Sequence, residues 1–179
     1  MPDRRTDLAD AALAVVAAKG LKGLTHRAVD AEAGVAVGTT SNYFRNRAAL
    51  VAAAVDRVEE HDSLLLQQQG GSEFPTSVAA LAEQLAGALL RLANNHAELT
   101  RARFTFALDQ PEVVAAGHQR MLSALEQVLD SMGIPDPRAR AEAVADYGDG
   151  LAMHLLTARR GQAVDQPTIA ANVRRLLEG

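Results

Sequence analysis

The chain contains no cysteine, which removes thiol catalysis, thiolate metal ligation and disulfide stapling together and makes an intracellular compartment the default expectation. Tryptophan is absent too, and aromatic residues amount to 3%. A β-rich fold draws on aromatic and β-branched side chains, so that class is disfavoured. No apolar run approaches the roughly 18 residues of a membrane span, and the opening MPDRRTDLADAAL lacks the apolar core of a secretory signal. A soluble, cytoplasmic protein with no membrane partner is expected. A general excess of positive charge is also missing, because the net charge is −4.

What is present points to helices. Of the 179 residues 48% are hydrophobic, and most of these are alanine and leucine, strong helix formers. The length suits one or two small domains with a sizeable core. An all-α protein of about nine helices is expected. Charge is unevenly placed: residues 1–58 hold eight Lys/Arg against six Asp/Glu, a net +2, while residues 59–179 hold ten against sixteen, a net −6. Only the N-terminal segment favours a polyanion, and weakly.

Periodicity and punctuation place the helices. Leu8, Ala12, Val15 and Val16 share one face of a first helix over 4–19, with Gly20 as a left-handed C-cap. Thr25 stands at the N-cap of a second, which Gly34 ends. A third begins near Val37, after the three-residue interval Gly34-Val35-Ala36. A longer helix runs from Arg47 to about Gln69, where Gly70-Gly71-Ser72 breaks it. Helices are then expected over 76–95, 97–109, 112–131, 138–160 and 166–178.

Two short helices joined by so tight a turn outline a helix-turn-helix, a unit whose second helix enters the DNA major groove. The stretch GVAVGTTSNYFRNRAAL carries short polar groups where a core-facing helix would carry leucine. Thr25 offers a cap hydroxyl beside free amides, and Arg27 reaches for a phosphate or a guanine edge. Gly38 removes a side chain at the point of closest approach. Thr39, Ser41 and Asn42 present donors and acceptors, and Tyr43 and Arg47 clamp the backbone beyond them.

Residues Thr25 to Leu50 resemble the DNA-binding signature of the TetR family of transcriptional repressors: a threonine-led start, the GV turn, the Gly38-Thr39 pair, the Tyr43-Phe44 pair, a basic residue at Arg47 and a leucine at Leu50. The resemblance is detailed over roughly residues 5–55. It implies a homodimer that binds a palindromic double-stranded DNA operator, with C-terminal helices that bind a small-molecule effector and weaken operator binding. It also makes Phe44 the buried aromatic and Tyr43 the phosphate partner. Val37 and Ala48 depart from the pattern, standing where many relatives carry a polar or basic and an acidic residue. Val37 either meets a thymine methyl or touches nothing.

The expected organisation is a DNA-binding domain over 1–47 and an effector-binding and dimerisation domain over 48–179. Arg103, Phe104, His118, Met121 and Tyr147 are the candidates to line an effector cavity between helices. In the last two helices, Ala141, Val144, Gly148, Leu151 and Leu155, with Ile169, Val173 and Leu176, make apolar stripes suited to a four-helix dimer interface. The alternative for both stripes is the chain's own core. His96, His118 and His154 sit on separate helices with no paired ligand spacing, so neither a metal nor another cofactor is expected. Glu59, Glu60, His61 and Asp62 read as a solvated acidic face. No nucleophile elbow, phosphate loop or carboxylate pair appears, which disfavours an enzyme. The rival is a helical small-ligand-binding or scaffolding protein that never touches DNA, on which Thr39 to Asn42 would be a solvated face.

Overall fold

The computed structural model describes residues 3–70, 75–94 and 97–179. Among the described residues the chain is helical with no strand, in nine helices: α1 Arg4–Gly23, α2 His26–Glu32, α3 Thr39–Tyr43, α4 Arg47–Gly70, α5 Val78–Asn94, α6 Ala97–Asp109, α7 Pro111–Ser131, α8 Pro137–Leu156 and α9 Gln166–Glu178. The expected Gly71-Ser72 break, Asn95 and His96 lie outside the described residues.

Local chemistry sets the boundaries. Asp3 accepts from the Arg5 N–H at the start of α1, Asn46 from the Ala49 N–H at the start of α4, and Asp165 from the Thr168 N–H at the start of α9. Gly20 has a positive φ of 67° but with ψ 178°, a kink open to glycine rather than the left-handed cap expected of it, and α1 resumes for one further turn to Gly23. The third helix begins two residues later than the sequence suggests. Gly38 has φ 95°, which no α-helix interior accommodates, so Val37 and Gly38 belong to the turn. The eighth helix ends at Leu156 rather than 160, closing in successive turns to Gly161.

The chain divides into two compact units, the first of Met1–Asp62 with Glu98–Ala115, the second of Ser63–Ala97 with Ala116–Gly179. The first therefore runs past residue 47 and recruits a distant segment. Its core combines Leu8, Ala12, Val15 and Val16 of α1 with Val29, Phe44, Leu50, Val51, Ala54, Val55 and Val58, and Ala102 and Phe106 of α6 complete it. At its edge α1 and α4 are fastened by charge. Arg57 donates from Nε and Nη2 to the two carboxylate oxygens of Asp10 at 2.6 and 3.2 Å, and from Nη1 to Glu60 at 2.8 Å. His61 Nε2 lies 3.2 Å from the same Asp10. Burial raises the Asp10 pKa, but the hydrogen bonds and charges of Arg57 and His61 outweigh it and hold the carboxyl below its ordinary value. The expected solvated acidic face is thus corrected at His61, which turns toward this cluster, while Glu60 stays exposed and reaches Arg57 along the surface. The side chain of Asp62 lies outside the described residues.

In the second unit, α5 packs against α8 and α9. Leu81, Ala82 and Ala86 meet Ala141, Val144, Leu151 and Leu155 of α8 and Ile169, Val173 and Leu177 of α9, with Leu122, Leu129 and Ile134 around them. This corrects the use expected for the two apolar stripes. Ala141, Val144, Gly148, Leu151, Leu155, Ile169 and Val173 are buried within one chain, and Leu176 is half-buried against the same core. They are not a free face awaiting a partner. Gly148 is small because α5 lies against it: a Cβ there would stand 2.7 Å from Leu89 Cδ2.

Gly148→Leu consequently overfills the α5–α8 contact. Urea unfolding of the full chain should show a loss of about 1–3 kcal/mol, and an unchanged or raised stability would contradict this packing.

Candidate nucleic-acid interface

Five residues are too few to sustain a helix in water, so α3 exists because the surrounding chain holds it. Its inner face buries Thr40, and the next inward residue one turn on is Phe44, fully buried in the first core. Its outer face leaves Ser41, Asn42 and Tyr43 exposed and Thr39 half-exposed. The alternation answers the oddity of the polar stretch: every fourth residue turns inward and the others are turned out.

The N-terminal end is held by Asp30, on the last full turn of α2. Its carboxylate is buried and accepts from the Gly38 and Thr40 N–H groups at 2.7 Å each, and from the Thr40 hydroxyl. Burial raises the Asp30 pKa; the Thr40 hydroxyl, the two backbone donors and the His26 charge together pull it below its ordinary value. The carboxylate supplies what Gly38, a cap residue with no side chain, cannot.

At the other end three basic side chains hold backbone carbonyls. His26 Nε2 lies 2.7 Å from the Phe44 carbonyl, which can only accept, so Nε2 carries the proton. Arg5 donates to the Tyr43 carbonyl at 3.1 Å, its guanidinium 4.7 Å above the Phe44 ring. Arg47 donates to the Leu21 carbonyl at 2.6 Å, joining the start of α4 to the last turn of α1.

The expected DNA-contacting residues fall on this one unit, with altered roles for some. Thr25 is the N-cap of α2, accepting from the Ala28 N–H at 3.1 Å, which leaves its own hydroxyl proton to donate. Arg27 is exposed on the same turn. The Thr39 and Ser41 hydroxyls donate to the Ala36 and Gly38 carbonyls at 2.6 and 2.8 Å, so each offers lone pairs outward rather than its proton. Asn42 is exposed, and among the described residues its carboxamide makes no side-chain hydrogen bond. Arg47, expected as a free phosphate clamp, is in part a structural group through Leu21. Asp30, His26, Arg5 and Thr40 were missed by the sequence reading. The available signal was an acid beside Val29 on α2's inward side, which apolar periodicity passes over.

The expected effector residues are divided between the two units. Arg103 and Phe104 lie in the first, the guanidinium 5.5 Å from the ring centre, and Phe106 is the fully buried aromatic of α6. His118, Met121 and Tyr147 lie in the second, where His118 and Met121 are exposed on α7 and the Tyr147 hydroxyl accepts from Asn172 at 3.0 Å. His118 and Met121 therefore do not line an enclosed wall of that unit.

Comparison with protein families matches residues 8–54 to bacterial regulatory proteins of the tetR family, and residues 76–179 to the tetracyclin repressor-like C-terminal domain. Among solved structures, the multidrug binding protein EbrR complexed with malachite green is 26% identical, covering 98% of this chain and 99% of its own at a TM-score of 0.75. A TetR-family member from Streptomyces coelicolor A3 is 26% identical with the same coverages and TM-score. A transcriptional regulator from Rhodococcus sp. Rha1, 20% identical, covering 98% of this chain and 94% of its own at a TM-score of 0.77, shares the fold. No curated protein matches.

The Asp30→Asn variant keeps one acceptor oxygen and sets an N–H donor against N–H donors. It should lose about 2–3 kcal/mol at pH 7. Because the folded pKa of Asp30 is depressed, its stabilisation is present above the unfolded carboxylate value, about 4, and disappears as pH falls through the folded value. Urea melts of both proteins at pH 7 and pH 3 should show the difference narrowing in acid; a constant difference would rule out this role.

Proposed function

We propose, from the premise that the chain belongs to the TetR family of bacterial regulatory proteins, that it is a repressor which binds a palindromic operator as a homodimer and is released by a small apolar or amphipathic effector. The family matches make it a DNA-binding transcriptional regulator with a ligand-binding C-terminal domain, in a family whose members are not enzymes. The observation that carries the finer reading is α3. A buried carboxylate holds one end of a five-residue helix while its outer face is left polar, exposed and uncharged. A scaffolding protein has no use for so firm a display of Ser41, Asn42 and Tyr43.

On this reading Asn42 is the base reader, its carboxamide matching the N6/N7 edge of adenine. Thr25, Arg27 and Tyr43 grip phosphates; Thr39 and Ser41 accept from base or water donors with their outward lone pairs; Gly38 permits close approach; Arg47 contributes from the start of α4, against the last turn of α1. Two such helices set about 34 Å apart by a two-fold axis meet successive major grooves. With the inner faces of α8 and α9 taken up by the chain's own core, the dimer uses their outer faces. There Gly150 is exposed with open space around it, which admits a partner helix closely. EbrR is a multidrug binding protein solved with malachite green, proflavin and ethidium, which supports a bulky organic effector in the C-terminal domain. Among the described residues no helix is long and apolar enough to cross a membrane.

Selection of duplexes from a random pool, followed by binding titrations at several salt concentrations, tests the reading. Arg27→Ala should weaken all duplexes alike and reduce the salt slope by about one. Asn42→Ala should leave the slope unchanged and relax preference at one position per half-site. Binding that is indifferent to both substitutions would reject the interface.

Gly150→Arg should leave the fold intact, yield single-chain mass by light scattering and reduce operator affinity, unlike any bulky residue at Gly148. A single-chain mass for the unsubstituted protein at micromolar concentration would reject the dimer.

A further inference from the structure

From Ala33 to Phe44 the chain carries no charged side chain. Several polar groups there are already engaged: Thr40 with Asp30, the Thr39 hydroxyl with the Ala36 carbonyl, the Ser41 hydroxyl with the Gly38 carbonyl. Val37 stands apart. At 81% exposure it is the most exposed large hydrophobic side chain among the described residues. The turn that bears it is fastened on both sides, through Gly38 N–H to Asp30 at 2.7 Å and Thr39 N–H to the Ala36 carbonyl at 3.1 Å. Its neighbour Gly38 has no side chain, and the space where one would stand is open, so the backbone beside the exposed isopropyl group can approach a surface closely.

We propose that Val37 reads the C5-methyl group of a thymine in the major groove, an inference that rests on the DNA-binding reading above. The turn leads directly into α3, the end of a recognition helix that approaches base edges. Among the groups base pairs display in the major groove, only the thymine methyl is apolar; guanine, adenine and cytosine present donors or acceptors there. An isopropyl group laid against a thymine methyl removes apolar surface from water on both sides. Laid against the other edges, it strips water from a polar group without replacing its hydrogen bond. Val37 thus favours thymine and disfavours its competitors at one position, beside the adenine assigned to Asn42.

Deoxyuridine differs from thymidine by this methyl alone and keeps the base pair, so it tests the contact on the unaltered protein. Each thymine of a duplex enriched by the purified full chain is replaced in turn by uracil. One thymine in each half-site should then weaken binding roughly three- to tenfold. Val37→Ala should bind the thymine and uracil duplexes with closely similar affinity, while Asn42→Ala should still distinguish them. A site at which no uracil replacement matters, or a Val37→Ala variant that senses the methyl as strongly as the parent, would overturn the proposal and leave the DNA-binding reading standing. Failure of the folded chain to enrich any duplex would overturn both.

Discussion

A buried carboxylate is the constraint on which the placement of α3 turns. Isolating Asp30 from water opposes its charged form, and the opposition is met by two backbone N–H groups and a hydroxyl at short range. Those same N–H groups belong to the turn and first residues of α3, where a helix has donors without intrahelical partners. One residue therefore solves two problems of desolvation together. The cost is geometric, because Gly38 must hold φ 95° for both donors to converge on one acid.

The distribution of positive charge around α3 follows from the same arrangement. Arg5, His26 and Arg47 all stand near the helix, yet each donates to a backbone carbonyl of Tyr43, Phe44 or Leu21. They consolidate α1, α3 and the start of α4 around Phe44, and the exposed outer face of α3 remains neutral. On the proposed reading, a neutral α3 face in a chain of net charge −4 contributes little to nonspecific attraction for DNA, so discrimination would depend on shape and hydrogen bonding while phosphate contacts and two-fold repetition would supply affinity.

Much of this was legible beforehand. Leu8, Ala12, Val15 and Val16 form the core face of α1 as their spacing predicts, Thr25 is an N-cap, and Phe44 is buried while Tyr43 is exposed. The bounds of α6 and α9 agree with those expected, because Asp109-Gln110-Pro111 and Asp165-Gln166-Pro167 carry their own stop and start chemistry. Other features were hidden for physical reasons. An amphipathic stripe shows that a helix face is covered, never by which chain, and α5 covers the α8 and α9 stripes within the same chain. Asp30 is a polar residue in an apolar setting, the pattern that hydrophobic periodicity treats as noise. The Phe104, Phe106 and Leu108 alternation has period two on a helix, so one ring is buried and Leu108 is 78% exposed.

The shortness of α3 has a genetic corollary. Five residues carry no stability of their own, and what shapes them is a network reaching through Asp30, His26, Phe44 and Arg5 into the surrounding core. The surface proposed to meet an operator is thus inherited from the packing of Leu8, Val16, Val29 and Leu50. If Asn42 reads the operator as proposed, a screen scored only on vacant operators would collect lesions in that hidden interior alongside lesions at Asn42. The two classes would part only by temperature, since a weakened core fails first in the heat while an altered reader is defective at every growth temperature.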